Sequence, residues 1–129
     1  MTVHLFECRV YYEDTDLAGI VYYANYLRFI ERARSEWVRG LGVDQAALRA
    51  ERGLVFAVRR LEADYLSPAR FDELLTVRTG VEARSPARLV LRQEIGCGAR
   101  PVFSARVTLV CLDANGRPVR LALPPDAGA

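Results

Sequence analysis

The sequence predicts an α+β domain in which a curved antiparallel sheet of about five strands wraps around one long helix. Three observations carry this. Residues 25–40 hold the one long stretch with a helical period. The segments on either side alternate with the two-residue period of strands, and the breaks between those strands suit hairpins rather than crossovers. A single helix with an apolar stripe must bury that stripe against the sheet.

The elements follow in order. Residues 5–12, LFECRVYY, place Phe6, Cys8, Val10 and Tyr12 on one face and read as the first strand. From Asn25 to Gly40 the apolar positions Tyr26, Ile30, Ala33, Trp37 and Leu41 step by four, three, four and four. Arg28, Glu31, Arg32, Ser35, Glu36 and Arg39 lie mostly off that stripe, as in an amphipathic helix, and Phe29 and Trp37 are assigned to the core. Gly40 and Gly42 are stop signals, and Asp44 is set to cap a short second helix ending near Glu51. Residues 55–66 then alternate with Ala57, Leu61, Ala63 and Tyr65 on one side, until Ser67-Pro68 breaks the run. Strands are expected at 73–83, 88–96 and 102–112, the last with Phe103, Ala105, Val107, Leu109 and Cys111 facing inward. Asp113-Ala-Asn-Gly is a tight turn in which Asn115-Gly116 supplies positive φ, and 117–122 returns as a short strand. The tail from about residue 123 is rich in proline, alanine and glycine and is expected to fray. The chain of 129 residues therefore reads as one domain. Its sheet leaves open edges, one of which pairing in a dimer would cover.

Composition excludes several classes. A net charge of +2 is too small to point to nucleic acid or an anionic membrane surface. No apolar run approaches the ~20 residues that span a bilayer. The start, MTVHLFECRVYYED, lacks a basic region followed by an apolar block, so the expected location is the cytoplasm. All 18 cations are arginine, which codon usage accounts for; chemically there is no lysine for a Schiff base, and every cation is a fork-shaped donor suited to phosphate. Cys8, Cys97 and Cys111 show no metal-ligand spacing and read as small apolar residues, and with His4 as the one histidine a zinc site lacks ligands. The same lack of a base disfavours a Ser-His-Asp triad. No metal and no cofactor are expected.

The chemistry lies in residues 11–26, YYEDTDLAGIVYYANY. Asp14 and Asp16 can be read as loop polars and Asn25 as a helix cap. Three features favour more. Gly19 suggests backbone that excludes a Cβ. The apolar run IVYYA suggests a buried loop, where a carboxylate needs a reason. The helix beyond offers free N–H groups and a positive dipole end. A carboxylate facing free backbone donors is a minimal acyl-transfer site, the donors holding an oxyanion while the carboxylate attacks or activates water.

The motif Y-x-D-T-D-x-x-G-x-V-Y-x-A-N-Y, with YLRFIERAR at 26–34 and YLSPAR at 65–70, resembles the hotdog-fold acyl-CoA thioesterases of the 4-hydroxybenzoyl-CoA thioesterase family, and within it the Tol-Pal-associated acyl-CoA thioesterases. The resemblance implies a sheet wrapped round a central helix, homodimers often assembled further into tetramers, and hydrolysis of acyl-CoA to free acid and CoA without a metal. By residue match it gives Asp16 the catalytic carboxylate, the backbone N–H near Tyr23 the oxyanion hole, and Gly19 the turn between them. It departs at Tyr23, where many Tol-Pal-associated members carry histidine; the aromatic residue is nearer the hydroxybenzoyl-type enzymes. Arg84, Ser85 and Arg88, in EARSPARLV, match the basic stretch that holds the nucleotide end of CoA, with Arg59, Arg60 and Arg70 as weaker candidates. A second lineage of the fold uses a helix glutamate, which makes Glu31 the rival to Asp16. The rival functions are a binding module for acyl-CoA or acyl carrier protein, and a partner of an envelope complex.

Overall fold

The computed structural model describes residues 2–125 and 127. Its elements are β1 (Val3–Arg9), a single 3₁₀ turn (Tyr12–Asp14), α1 (Asn25–Gly40), α2 (Gln45–Arg52), β2 (Val55–Tyr65), β3 (Leu74–Arg84), β4 (Arg88–Cys97), β5 (Arg100–Leu112) and β6 (Pro118–Val119). The strands form one antiparallel sheet in the order β1-β3-β4-β5-β2, with β6 on the end of β5. Helix α1 lies across the inner face. It buries Tyr26, Phe29, Ile30, Ala33, Trp37 and Val38 against Leu75 and Val77 of β3, Leu89, Leu91 and Ile95 of β4, and the alternating face of β5.

The helix occupies the residues its periodicity marks, and the chain leaves it through Gly42 at φ 85°. Asp44 caps α2 as expected, its carboxylate accepting from the Ala47 N–H at 3.0 Å. Four local readings differ. The first strand ends at Arg9, not Tyr12, because the Asp14 carboxylate accepts the Tyr11 N–H at 2.8 Å and winds Tyr12–Asp14 into a turn. In β2 the ladder shifts between Val58 and Arg60, so Arg59 is an extra residue opposite none. Cross-strand partners share a face. Leu61, Ala63 and Tyr65 thus stand opposite the inward Val107, Ala105 and Phe103, whereas Ala57 pairs with Val110 and faces the other way. β6 is two residues long, and the left-handed turn position before it falls on Gly116 alone, at φ 75°. The tail packs rather than frays as far as it is described: Leu121, Leu123 and Ala127 join the core. Arg84 donates to the carbonyls of Pro124 (2.7 Å), Ala127 (3.2 Å) and Leu123 (3.3 Å). The rest of that expectation, at 126, 128 and 129, lies outside the described residues.

One buried polar group ties helix to sheet. Gln93, fully buried on β4, donates from its amide to the Ile30 carbonyl and to Thr79 Oγ1, both at 2.9 Å. It accepts from Arg34 at 3.0 Å. Burial lowers the pKa of the Arg34 guanidinium, with Glu31 opposing. Gln93→Met keeps the volume but leaves Thr79 and Arg34 without this partner, and is expected to cost about 2 kcal/mol. The check is a shifted denaturant midpoint at unchanged slope.

Candidate active site

The loop between β1 and α1 is stitched by two isolated antiparallel bridges. Thr15 bridges Val21, and Ile20 bridges Arg70. The Tyr22 N–H donates to the Asp14 carbonyl at 2.9 Å, and the Val21 N–H to the Ala69 carbonyl at 2.8 Å. At its tip the Asp16 N–H reaches the Ile20 carbonyl (3.0 Å) and the Gly19 N–H the Asp16 carbonyl (2.9 Å). Gly19 has φ 78°. Nothing lies within 4 Å of where its Cβ would stand, so the backbone angle alone calls for glycine. Asp16 Oδ1 accepts from the Ala18 N–H at 2.9 Å, an Asx-turn that aims the carboxylate. It opens into a shallow cleft of about 650 Å³ lined by Tyr12, Thr15, Leu17, Gly19 and Phe71.

The expectation of a buried loop does not hold for the single chain. Of the run IVYYA, Val21 alone is fully buried, with Ile20 and Ala24 half-buried. Asp16 is exposed, and Tyr22, Tyr23 and Leu17 are 44%, 61% and 106% exposed. The reason is that the loop is stitched to the domain through its backbone, which leaves its side chains pointing out over no covering element.

The start of α1 carries open donors. The N-cap position is Ala24, whose side chain caps nothing, and the first turn holds no acid. Asn25 is not the cap: its N–H goes to the Tyr22 carbonyl (2.8 Å) and its side-chain amide to the Asp14 carbonyl (3.0 Å), tying helix to loop. Among the described residues the Tyr23 and Ala24 N–H groups have no acceptor. Negative charge is favoured at such an end. The Tyr23 phenol beside Tyr22 raises the Tyr22 pKa, with a hydrogen bond between the two adding to the effect.

Two contributors escaped the sequence reading. Tyr65, at the head of YLSPAR, donates its hydroxyl to the Tyr23 carbonyl at 3.2 Å. The motif was the one signal for it. Glu73 organises the segment on which the loop hangs. It accepts from the Arg70 N–H (2.6 Å), Arg100 (2.7 Å) and the Cys97 thiol (3.5 Å). Burial pulls its pKa up, but the bonds from Arg100, the Arg70 N–H and Cys97 pull further down, to a net value below the ordinary one. A depressed carboxylate stabilises the fold above its unfolded value and ceases to do so as pH falls through its folded value. Wild type should therefore melt above Glu73→Gln at pH higher than about 5, and the gap should close in acid, measured by thermal unfolding across pH.

The remaining candidates lie apart. Glu31 is exposed on α1 and accepts from Ser35 at 3.1 Å, beside a hollow shared with Arg34 and Phe56. Arg84 grips the tail, and the Ser85 hydroxyl accepts the Arg88 N–H at 3.1 Å. Arg88, Arg59 and Arg60 meet with Arg106 round an open hollow of about 560 Å³ on the outer face of the sheet, which shares no lining residue with the Asp16 cleft. Arg70 stays with the loop. Among the described residues neither Arg84 nor Arg88 pairs with a carboxylate, and no group of three or more His, Cys, Asp or Glu is placed to hold a metal. Cys111 is buried, Cys8 and Cys97 are half-buried, and burial pushes the Cys8 thiol up to about 11, far from a nucleophile's range. No described helix is long and apolar enough to cross a membrane.

Comparison with known proteins gives this geometry a context. The profile of the thioesterase-like superfamily matches residues 10–128. Acyl-CoA thioesterase YbgC of Haemophilus influenzae is 40% identical over 124 residues, covering 96% of this chain and 90% of its own. Acyl-CoA thioester hydrolase YbgC of Escherichia coli O6:H1 is 41% identical over 113 residues, covering 87% and 84%. Among solved structures, a probable thioesterase from Bartonella henselae superposes with a TM-score of 0.89 at 37% identity, covering 93% of this chain and 99% of that one. DHNA-CoA thioesterase from Staphylococcus aureus does so at 0.88 and 28%, covering 94% and 82%.

Proposed function

The chain belongs to the thioesterase-like superfamily and hydrolyses acyl-CoA thioesters, and on that premise we propose that Asp16 carries the reaction, with the Tyr23 N–H as oxyanion donor and Gly19 shaping the turn between them. The supporting observation is the pairing, on one stitched loop, of an open carboxylate with a helix start whose first N–H groups have no acceptor among the described residues. Attack on the thioester carbonyl moves charge onto its oxygen, where the N–H stabilises it, and the CoA thiolate leaves. The carboxylate acts either as nucleophile, giving an acyl anhydride that water opens, or as base to an attacking water. Neither route calls on a metal or cofactor.

The phosphates of CoA are assigned to Arg84, Ser85 and Arg88. Arg84 spends donors on neutral carbonyls rather than on a carboxylate, and Arg88 lines a basic hollow with Arg59 and Arg60. The working unit in this reading is a homodimer, assembled further to a tetramer. The exposed apolar rim of Tyr12, Leu17, Tyr22, Tyr23 and Phe71 and the open edge of β2 support it. Acyl carrier protein presents the same thioester and is in this reading a second donor of the acyl group. Membership of the Tol-Pal-associated subgroup, carried by the motif, and a cytoplasmic location, carried by the start of the sequence and its lack of a long apolar run, complete the proposal. The test is hydrolysis of short, medium and long acyl-CoAs and of benzoyl- and hydroxybenzoyl-CoA by wild type and by an Asp16 variant. Turnover abolished in the variant supports the assignment, and equal turnover moves the chemistry to Glu31.

A further inference from the structure

We propose that the Ala24 N–H is a second oxyanion donor beside that of Tyr23 and that Tyr65 is the residue that positions it, acting through the Tyr23 carbonyl; this rests on the Asp16 and Tyr23 reading above. In a planar trans peptide the C=O and N–H point in opposite directions. Fixing a carbonyl therefore fixes where the N–H of the same peptide is aimed. The Tyr23 and Ala24 N–H groups, unpartnered among the described residues, belong to peptides whose carbonyls are both held. The Tyr22 carbonyl, which shares its peptide with the Tyr23 N–H, accepts from the Asn25 N–H at 2.8 Å. The Tyr23 carbonyl, which shares its peptide with the Ala24 N–H, accepts from the Tyr65 hydroxyl at 3.2 Å. The first of these bonds is local to the turn. The second comes from β2, across 42 residues of chain, and locks the turn to the sheet. A hydrogen bond to the carbonyl also polarises the amide and makes its N–H a stronger donor.

The phenol arrives from a rigid base. The Tyr65 ring meets Phe103 edge-on at 5.2 Å and Tyr26 at 5.8 Å, and Tyr26 and Phe103 are themselves stacked at 5.2 Å and fully buried. The Tyr26 hydroxyl accepts the Ala69 N–H at 3.1 Å, so the loop and the helix start hang from the same aromatic group. Tyr65 does not line the Asp16 cleft, and its effect belongs to the transition state, where the oxygen is charged, rather than to substrate binding.

Tyr65→Phe keeps the ring and removes one hydroxyl. With whichever acyl-CoA wild type hydrolyses fastest, the variant should show kcat lower by about tenfold, less than the loss from deleting a direct oxyanion donor. KM and the melting temperature should stay at wild-type values. Tyr65→Leu, which also loses the ring contacts, should add a fall in melting temperature. Unchanged kcat in Tyr65→Phe overturns the proposal, as does a loss carried by KM or matched by a drop in melting temperature, since either marks a merely structural contact. Asp16→Asn is run alongside. If it is inactive while Tyr65→Phe is normal, only the positioning role fails; if it is active, the reading on which that role rests fails.

Discussion

Asp16→Asn is expected to lower kcat on the order of 10³-fold, about 4 kcal/mol in barrier, while leaving the melting temperature unchanged. The substitution isolates charge from structure. Among the described residues the one bond the side chain makes is from the Ala18 N–H to Oδ1, and asparagine retains an oxygen there. The turn through Gly19, closed by backbone bonds at 2.9 and 3.0 Å, does not involve the carboxylate's second oxygen. What is lost is the negative charge that attacks the thioester or takes a proton from water. Steady-state kinetics with a thermal melt of the same preparation separate the two. A variant that keeps its activity and its stability assigns Asp16 to the turn alone and leaves Glu31 as the remaining carboxylate with a case.

The largest stability effect is expected at Phe103. Phe103→Ala should cost about 3–5 kcal/mol, through lost transfer energy and the cavity left behind. Phe103 is 1% exposed and stacked on Tyr26 with an interplanar angle of 10°. For a domain whose whole stability is of order 5–15 kcal/mol, this is a large part, and the melting temperature should fall on the order of 15 °C. Phe103→Leu, which refills most of the space, should cost less than half as much. Because Tyr65 leans on the same ring, the alanine variant should also lose activity before it unfolds, which a temperature series of kcat would reveal.

Much of the fold was legible because the informative periods are local. The helix from Asn25 to Gly40 and the inward face of β5 follow from spacing alone, and the structure buries the residues that spacing selects. Several misreadings share a cause, a dependence on something far away in the chain, whereas the early end of β1 comes from the local bond of the Tyr11 N–H to Asp14. The Ala57 face was inverted by a bulge that no spacing in β2 announces. The tail looked like one that frays because its composition does not reveal that Arg84 would meet its carbonyls. The aspartate loop looked buried because its side chains are apolar, yet in one chain they face outward. For the proposed site, the carboxylate and the turn glycine are the residues the motif points to. The roles of Tyr65 and Glu73 were not legible, since they are hydrogen bonds to backbone formed across 42 residues in one case and within a folded turn in the other.

The extra residue in β2 has a genetic meaning. Val58 stands opposite Leu109 and Arg60 opposite Thr108, so the codon for Arg59 can be lost without moving any cross-strand pair of that strand. The strand would straighten, since a bulge is what bends it, and the basic hollow would lose one arginine. Glu82 is the matching extra residue in β3, between Val81 and Ala83, but its carboxylate is bound by Arg106 at 2.7 Å and Arg92 at 3.4 Å. Of the two extra residues, the one at Arg59 makes no ion pair among the described residues, so the sheet can absorb its loss, while the one at Glu82 is held in place by its two arginine partners.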